Sequence, residues 1–158
     1  MSTLPHFDEG RIGNDVVVSP DGKTAVTCLS AGQFGQGAFP VRVHSVTDGS
    51  KLFELECGDC ITSAAYGPAG RHVITSSASL ERIAATAETP LSRPPVLWDA
   101  STGQKLQTLH VETLFRAGPD VFHADGSRIV LTNGDEAVVY NLAESSDSGR
   151  RIGEFPSP

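Results

Sequence analysis

Val96-Leu97-Trp98-Asp99-Ala100-Ser101-Thr102-Gly103-Gln104-Lys105-Leu106 is the stretch on which the fold turns. It opens as a β-rich run, passes through an aromatic residue and an aspartate, breaks at a turn ending in glycine, and resumes as a second run at Lys105. Two other segments share its layout. Residues 41–46 and 137–142 align with it so that His44, Trp98 and Tyr140 correspond, each followed by a polar residue, Ser45, Asp99 or Asn141. The first copy continues through a turn at 47–49 into a run at 51–55, and the quoted copy through 101–103 into 105–109. The third crosses a longer loop, 144–149, before its run at 151–155.

Working upstream, each copy is preceded by a four-residue turn: Ser19-Pro20-Asp21-Gly22, Gly67-Pro68-Ala69-Gly70 and His123-Ala124-Asp125-Gly126. Gly22, Gly70 and Gly126 occupy the last place, where a residue tolerant of positive φ is needed, and two of the turns have proline at the second place, where φ is preset. Strand-like runs follow the turns at 23–29, 71–77 and 127–132 and precede them at 16–18, 61–66 and, next to Pro119, 120–122. Each copy therefore has four runs, a to d, in the same order.

This order, with a large aromatic and then Asp near the end of run c, resembles the WD-repeat β-propeller family, in which each repeat is a four-stranded blade. The resemblance covers residues 16–155 and implies an all-β fold. The expected architecture is a partial β-propeller of three four-stranded antiparallel blades, with insertions in the b–c loops of blades one and two. Residues 1–15 form an N-terminal segment offering an extra outer strand, and the blades occupy 16–56, 60–110 and 111–155, together one propeller-type domain. The family's Gly-His dipeptide before strand a is absent, a single repeat has Trp-Asp, and Asp135 is a shifted counterpart of the usual b–c aspartate. The buried hydrogen-bond network that those residues build in the family is expected to be missing or degenerate in every blade.

From the a–b turn glycine to the aligned aromatic position the spacing is 22, 28 and 14 residues in the three copies. The third is the compact one, closed by Asn133-Gly134, a favoured tight-hairpin pair. The extra residues of the others map to 30–40 and to 78–95, where 79–88 suits a short helix stopped by Pro90, Pro94 and Pro95. In the propeller family the b–c and d–a loops emerge on one rim, so both insertions are expected on the same face, and insertions in repeat proteins often mark the binding face. Phe34, Phe39, Leu80 and Arg82 are the candidate partner-binding residues, Phe34 and Phe39 foremost because aromatics carry much interface energy.

Lys and Arg number 12 against 19 Asp and Glu, a net charge of −7, so the long-range field disfavours nucleic acid and anionic membrane as partners. The start of the chain lacks a signal-peptide pattern, no apolar run approaches bilayer length, and three cysteines do not read as a disulfide framework. A cytoplasmic, reducing setting is expected.

Candidate chemistry is sparse. Cys57-Gly58-Asp59-Cys60 has the spacing for a shared metal or a small redox disulfide, but no second pair and no helix N-terminus accompany it. Cys28, His44 and His72 are the residues that spatial folding would need to bring in. Gly32-Gln33-Phe34-Gly35-Gln36-Gly37 lacks the Gly-Lys-Ser/Thr ending of a phosphate loop, and no Gly-x-Ser-x-Gly elbow or His-x-x-x-His pair occurs. No enzyme activity and no cofactor are expected, and His44 reads as a hydrogen-bonded structural histidine. The resemblance implies a scaffold for protein–protein interaction. The alternative is a propeller that binds a small ligand or senses metal or redox state through Cys57 and Cys60. Three blades also leave two apolar flanks uncovered, which calls for further blades of a longer chain or for a second copy.

Overall fold

A computed structural model describes residues 11–31, 41–57, 60–78, 92–111, 118–133, 136–142 and 150–154. The first sheet runs in the order β1 (Arg11–Val18), β2 (Thr24–Ala31), β3 (Val41–Ser45), β4 (Lys51–Leu55). The second runs β5 (Cys60–Tyr66), β6 (His72–Ala78), β7 (Ser92–Asp99), β8 (Lys105–Thr108). The third holds β9 (Arg128–Asn133), β10 (Glu136–Asn141) and β11 (Arg150–Glu154), with β10 central. Every pairing is antiparallel. The protein is thus all-β, a partial propeller whose sheets do not close.

The repeated turn residues fold into repeated geometry. Gly22, Gly70 and Gly126 have φ of 71°, 68° and 70°. Each donates its N–H to the carbonyl of the residue three back, Ser19, Gly67 or His123, at 2.8 to 2.9 Å. Just beyond each turn, the carbonyls of Lys23, Arg71 and Ser127 accept the N–H of Val46, Ala100 and Leu142, so b and c are joined at the same point in all three sheets.

Cross-strand register then places three equivalent rows. Val18, Ala25 and His44 stand opposite one another in the first sheet, Tyr66, Val73 and Trp98 in the second, and Phe122, Ile129 and Tyr140 in the third. The neighbouring row has opposite side-chain direction because strands alternate faces. It comprises Val17, Val26 and Val43 in the first sheet and Ala65, Ile74 and Leu97 in the second.

Alternation splits the second sheet between two cores. Ala64, Tyr66, Val73 and Trp98 pack with Val26, Cys28, Val41, Val43 and Leu55 of the first sheet. Ala65, Ile74, Leu97 and Leu109 pack with Phe122, Ile129, Leu131, Val138 and Tyr140 towards the third. Adjacent residues such as Val73 and Ile74 serve opposite cores, which is why the strands read as continuous apolar runs rather than as polar–apolar alternation. Each such fully buried aliphatic or aromatic side chain contributes about 1.5–3 kcal/mol.

Two elements depart from expectation. Run a of the third copy is a 3-10 turn at Pro119–Val121 followed by a single bridge between Phe122 and Ile129, so the described third sheet has three strands. Pro119 has no N–H for a ladder and favours the turn. Phe122 nevertheless keeps its place in the row and is buried. β7 begins earlier than the sequence suggests and runs through Pro94 and Pro95, which fall at a register shift between Thr75 and Ser77 of the partner strand. A bulge is where a strand tolerates proline, and the Pro95 carbonyl still accepts the N–H of Leu109 at 2.8 Å.

Candidate interaction surfaces

The three equivalent c positions solve the same burial problem differently. Trp98 donates Nε1–H to Thr75 Oγ1 at 2.9 Å inside its own sheet. One link of the buried network expected to be degenerate is therefore present in the second sheet, where Ser63 and Ser76 add a buried hydroxyl pair at 2.7 Å. Leu131 stands in the third sheet where Thr75 stands in the second, so Tyr140 has no such acceptor. Its hydroxyl donates across sheets to the His110 carbonyl at 3.0 Å. In the first sheet Thr27 is the counterpart of Thr75, but imidazole reaches less far than indole and the Thr27 hydroxyl bonds the Arg42 carbonyl at 3.4 Å. His44 is 5% exposed and its Nδ1 has no hydrogen-bond partner among the described residues. The expectation of a hydrogen-bonded structural histidine is corrected at that atom: the short ring leaves Nδ1 unsatisfied.

The carboxylates at the turns are committed to capping. Asp99 Oδ1 accepts from the Ser101 hydroxyl at 2.6 Å and its N–H at 2.9 Å, and from the N–H and hydroxyl of Thr102 at 2.8 and 3.0 Å. The Ser101 hydroxyl foremost, with the Thr102 and Ser101 amides, holds the acid down to about 2 against partial burial. Asp48 does the same for the first sheet through Ser50. At the third a–b turn, Asp125 accepts from the Ser127 hydroxyl at 2.6 Å and its N–H at 2.8 Å, with His123 Nδ1 at 2.8 Å. These hold it well below the usual carboxylate range, the Ser127 hydroxyl most of all. A serine, an aspartate and a histidine meet here, yet the hydroxyl donates to the carboxylate rather than to the imidazole, so no base activates it. Asp21 repeats the arrangement with Ser19 and the Lys23 amide.

Two cavities lie on this a–b rim. One, about 400 Å³, is apolar and lined by repeat-equivalent residues at the inner strand ends: Val17, Val18 and Pro20, then Tyr66 and Pro68, then Phe122 and Ala124. The other, about 360 Å³, is a groove of mixed character between the second and third turns, lined by Arg71, His72, Asp125 and Ser127 together with Pro68, Ala69 and Leu142. Burial lowers the pKa of His72, with Asp99 opposing and Arg71 reinforcing that shift. Neither cavity was visible in the sequence, although the turn alignment is the signal that locates both.

Phe34, Phe39, Leu80 and Arg82 lie outside the described residues, as does the 79–88 segment expected to be helical. Antiparallel order puts the last residues of β2 and β6, Ala31 and Ala78, at the strand ends opposite the a–b turns. Cys57 is half-buried against the first core, while Cys60 opens β5 with its side chain outside the described residues. Cys28 faces that core and His44 the opposite face of the same sheet, so they do not converge. Among the described residues no group of three or more His, Cys, Asp or Glu side chains is placed to hold a metal ion.

The flanks are the remaining surface. Val16 and Val18 of the first sheet are 47% and 52% exposed, and Val130 of the third is 40% exposed. The described residues include no helix long and apolar enough to cross a membrane.

No family model and no curated protein matches the chain. Solved structures do. A eukaryotic initiation factor aligns at 15% identity and TM-score 0.63, over 98% of this chain and 35% of that one. The C-terminal WD40 domain of Sif2 aligns at 20% identity and TM-score 0.58, over 92% of this chain and 35% of that one. Hydrazine synthase of Kuenenia stuttgartiensis aligns at 14% identity and TM-score 0.55, over 80% of this chain and 39% of that one. The chain spans little more than a third of the length of these structures, and at such identities the likeness concerns fold alone. The repeated turns, the equivalent rows and these alignments together give the chain a WD40-like β-propeller fold, in part and unclosed.

Proposed function

We propose that the chain is a non-catalytic, cytoplasmic interaction platform that binds protein partners through the rim carrying its two b–c insertions. The observation that carries this reading is the commitment of the described turn carboxylates and buried hydroxyls to structure. Asp21, Asp48, Asp99 and Asp125 cap turns, and the Trp98, Thr75, Ser63 and Ser76 side chains hold a buried sheet. A rigid frame with its chemistry so engaged supports binding rather than turnover. The acidic net charge of −7 supports a protein rather than a nucleic-acid partner.

The test is affinity capture with the full chain, comparing Phe34→Ala/Phe39→Ala and Leu80→Ala/Arg82→Ala with Pro68→Ala on the opposite rim. Loss of the same partners from both insertion variants, with Pro68→Ala unaffected, is expected. Retention by the insertion variants alongside loss on Pro68→Ala would move the binding face to the a–b rim.

A further inference from the structure

We propose that the groove between the second and third a–b turns binds a singly charged carboxylate, such as an aspartate or glutamate side chain, on Arg71. The repeat itself points to the ligand. Asp21, Ala69 and Asp125 stand at the third place of the three turns. In the first turn Asp21 Oδ1 accepts from the Ser19 hydroxyl at 2.7 Å and from the Lys23 amide at 3.1 Å, and Oδ2 lies 3.6 Å from Lys23 Nζ. In the third, Asp125 accepts from the amide and hydroxyl of Ser127 at 2.8 and 2.6 Å. Arg71 is the counterpart of Lys23 and Ser127, but Ala69 offers it no carboxylate, and Gly67 has no hydroxyl where Ser19 has one. The backbone N–H and the guanidinium of Arg71 therefore have no acceptor among the described residues. An external carboxylate restores what the other two turns carry in their own sequence.

The second observation is that this vacancy opens on a cavity. Ala69 and Arg71 both line the groove of about 360 Å³, and Arg71 is exposed. A Cβ placed on Gly126 would lie 3.9 Å from that of Ala69, so the third turn forms the facing wall. Pro68 and Leu142 add apolar surface for the aliphatic stem of an acidic side chain. The facing wall also sets the ligand's charge. Asp125 lines it, and its hydrogen-bond donors keep it ionised. A phosphate dianion meets about twice the repulsion from Asp125 that a monoanionic carboxylate meets at the same place. The site lies at the a–b turns and is independent of partner binding through the b–c insertions.

The experiment is amide NMR on the isotope-labelled full chain, titrated with N-acetyl-aspartate amide, N-acetyl-asparagine amide, acetate and inorganic phosphate. The two carboxylates are expected to shift the Arg71 and His72 amides saturably, and the asparagine analogue and phosphate to leave them in place. Tighter binding of the aspartate amide than of acetate assigns the ligand to a peptide side chain, and equal binding assigns it to a free acid. Arg71→Ala is expected to weaken binding about tenfold or more, the loss of a hydrogen bond to a charged group. Ala69→Asp returns a carboxylate to the turn and is expected to abolish the titration with Arg71 still present. Trp98 emission confirms that both variants fold. No saturable shift, equal shifts with the asparagine analogue or phosphate, or undiminished binding by Ala69→Asp would overturn the proposal.

Discussion

Substituting alanine at Gly103 and at Gly22 separates backbone strain from inter-sheet packing. Both glycines hold positive φ, 73° and 71°. An L-residue there costs about 1–2 kcal/mol, of which about 0.4–1 kcal/mol is returned by the stiffer unfolded chain. A Cβ at Gly22 meets nothing within 4 Å, so Gly22→Ala is expected to cost about 1 kcal/mol. At Gly103 the Cβ falls 2.6 Å from Phe53 Cδ2, 3.0 Å from Cε2 and 3.5 Å from Leu55 Cδ2. Phe53 belongs to the first sheet and packs partly buried against its core, and Leu55 is 2% exposed, so the ring must shift within a packed surface to admit the Cβ. Overpacking adds about 1–3 kcal/mol, giving about 2–4 kcal/mol for Gly103→Ala. Urea unfolding followed by Trp98, the one tryptophan in the chain, reads both. With a slope of about 2 kcal/mol/M, the midpoint falls by about 0.5 M for Gly22→Ala and by about 1–2 M for Gly103→Ala. In a Phe53→Ala background the excess at Gly103 disappears. Equal losses at the two glycines, or an excess that survives Phe53→Ala, would refute the packing of the second sheet's c–d turn on the first sheet.

Trp98→Phe leaves the buried Thr75 hydroxyl without its donor and is expected to cost about 1–3 kcal/mol beyond lost ring area, with Thr75→Val in the same chain recovering part of it by circular dichroism melts. His44→Phe removes an unsatisfied buried nitrogen and is expected to raise the unfolding midpoint or leave it unchanged; a loss above about 1 kcal/mol would show that Nδ1 has a partner. Asp99 has its pKa depressed from 3.8 to about 2, so its contribution is present above the unfolded value and is lost as pH falls through the folded one. Screening by solvent at this turn holds that contribution to about 1 kcal/mol. Asp99→Asn should therefore flatten stability between about pH 4 and pH 2, and an unchanged acid limb would contradict the capping geometry.

The turns were legible because their chemistry is local: glycine with positive φ repeats at Gly22, Gly70 and Gly126, with proline at the second place of the first two turns. Run order and the aligned His44, Trp98 and Tyr140 followed from that, and β4 emerged with the bounds 51–55 expected. What escaped the sequence depends on register and on neighbouring sheets. The link from Trp98 to Thr75 exists because bonding to β6 places a hydroxyl two residues beyond Val73. The missing partner of His44 reflects ring length against that same geometry. The proline-bearing start of β7 looked like a helix stop because a bulge opposite Ser76 cannot be foreseen from Pro94 and Pro95 alone. Phe34, Phe39, Leu80 and Arg82, the partner-binding candidates, fall outside the described residues.

Residue-resolved amide hydrogen exchange tests most directly the claim that three sheets stack into two cores. The second sheet is covered on both faces, so amides of β6 and β7, Ile74 and Trp98 among them, are predicted to exchange slowest, ahead of β1 at Val16 to Val18. Fast exchange at Ile74 and Trp98, or protection of β1 above that of β6, would contradict it.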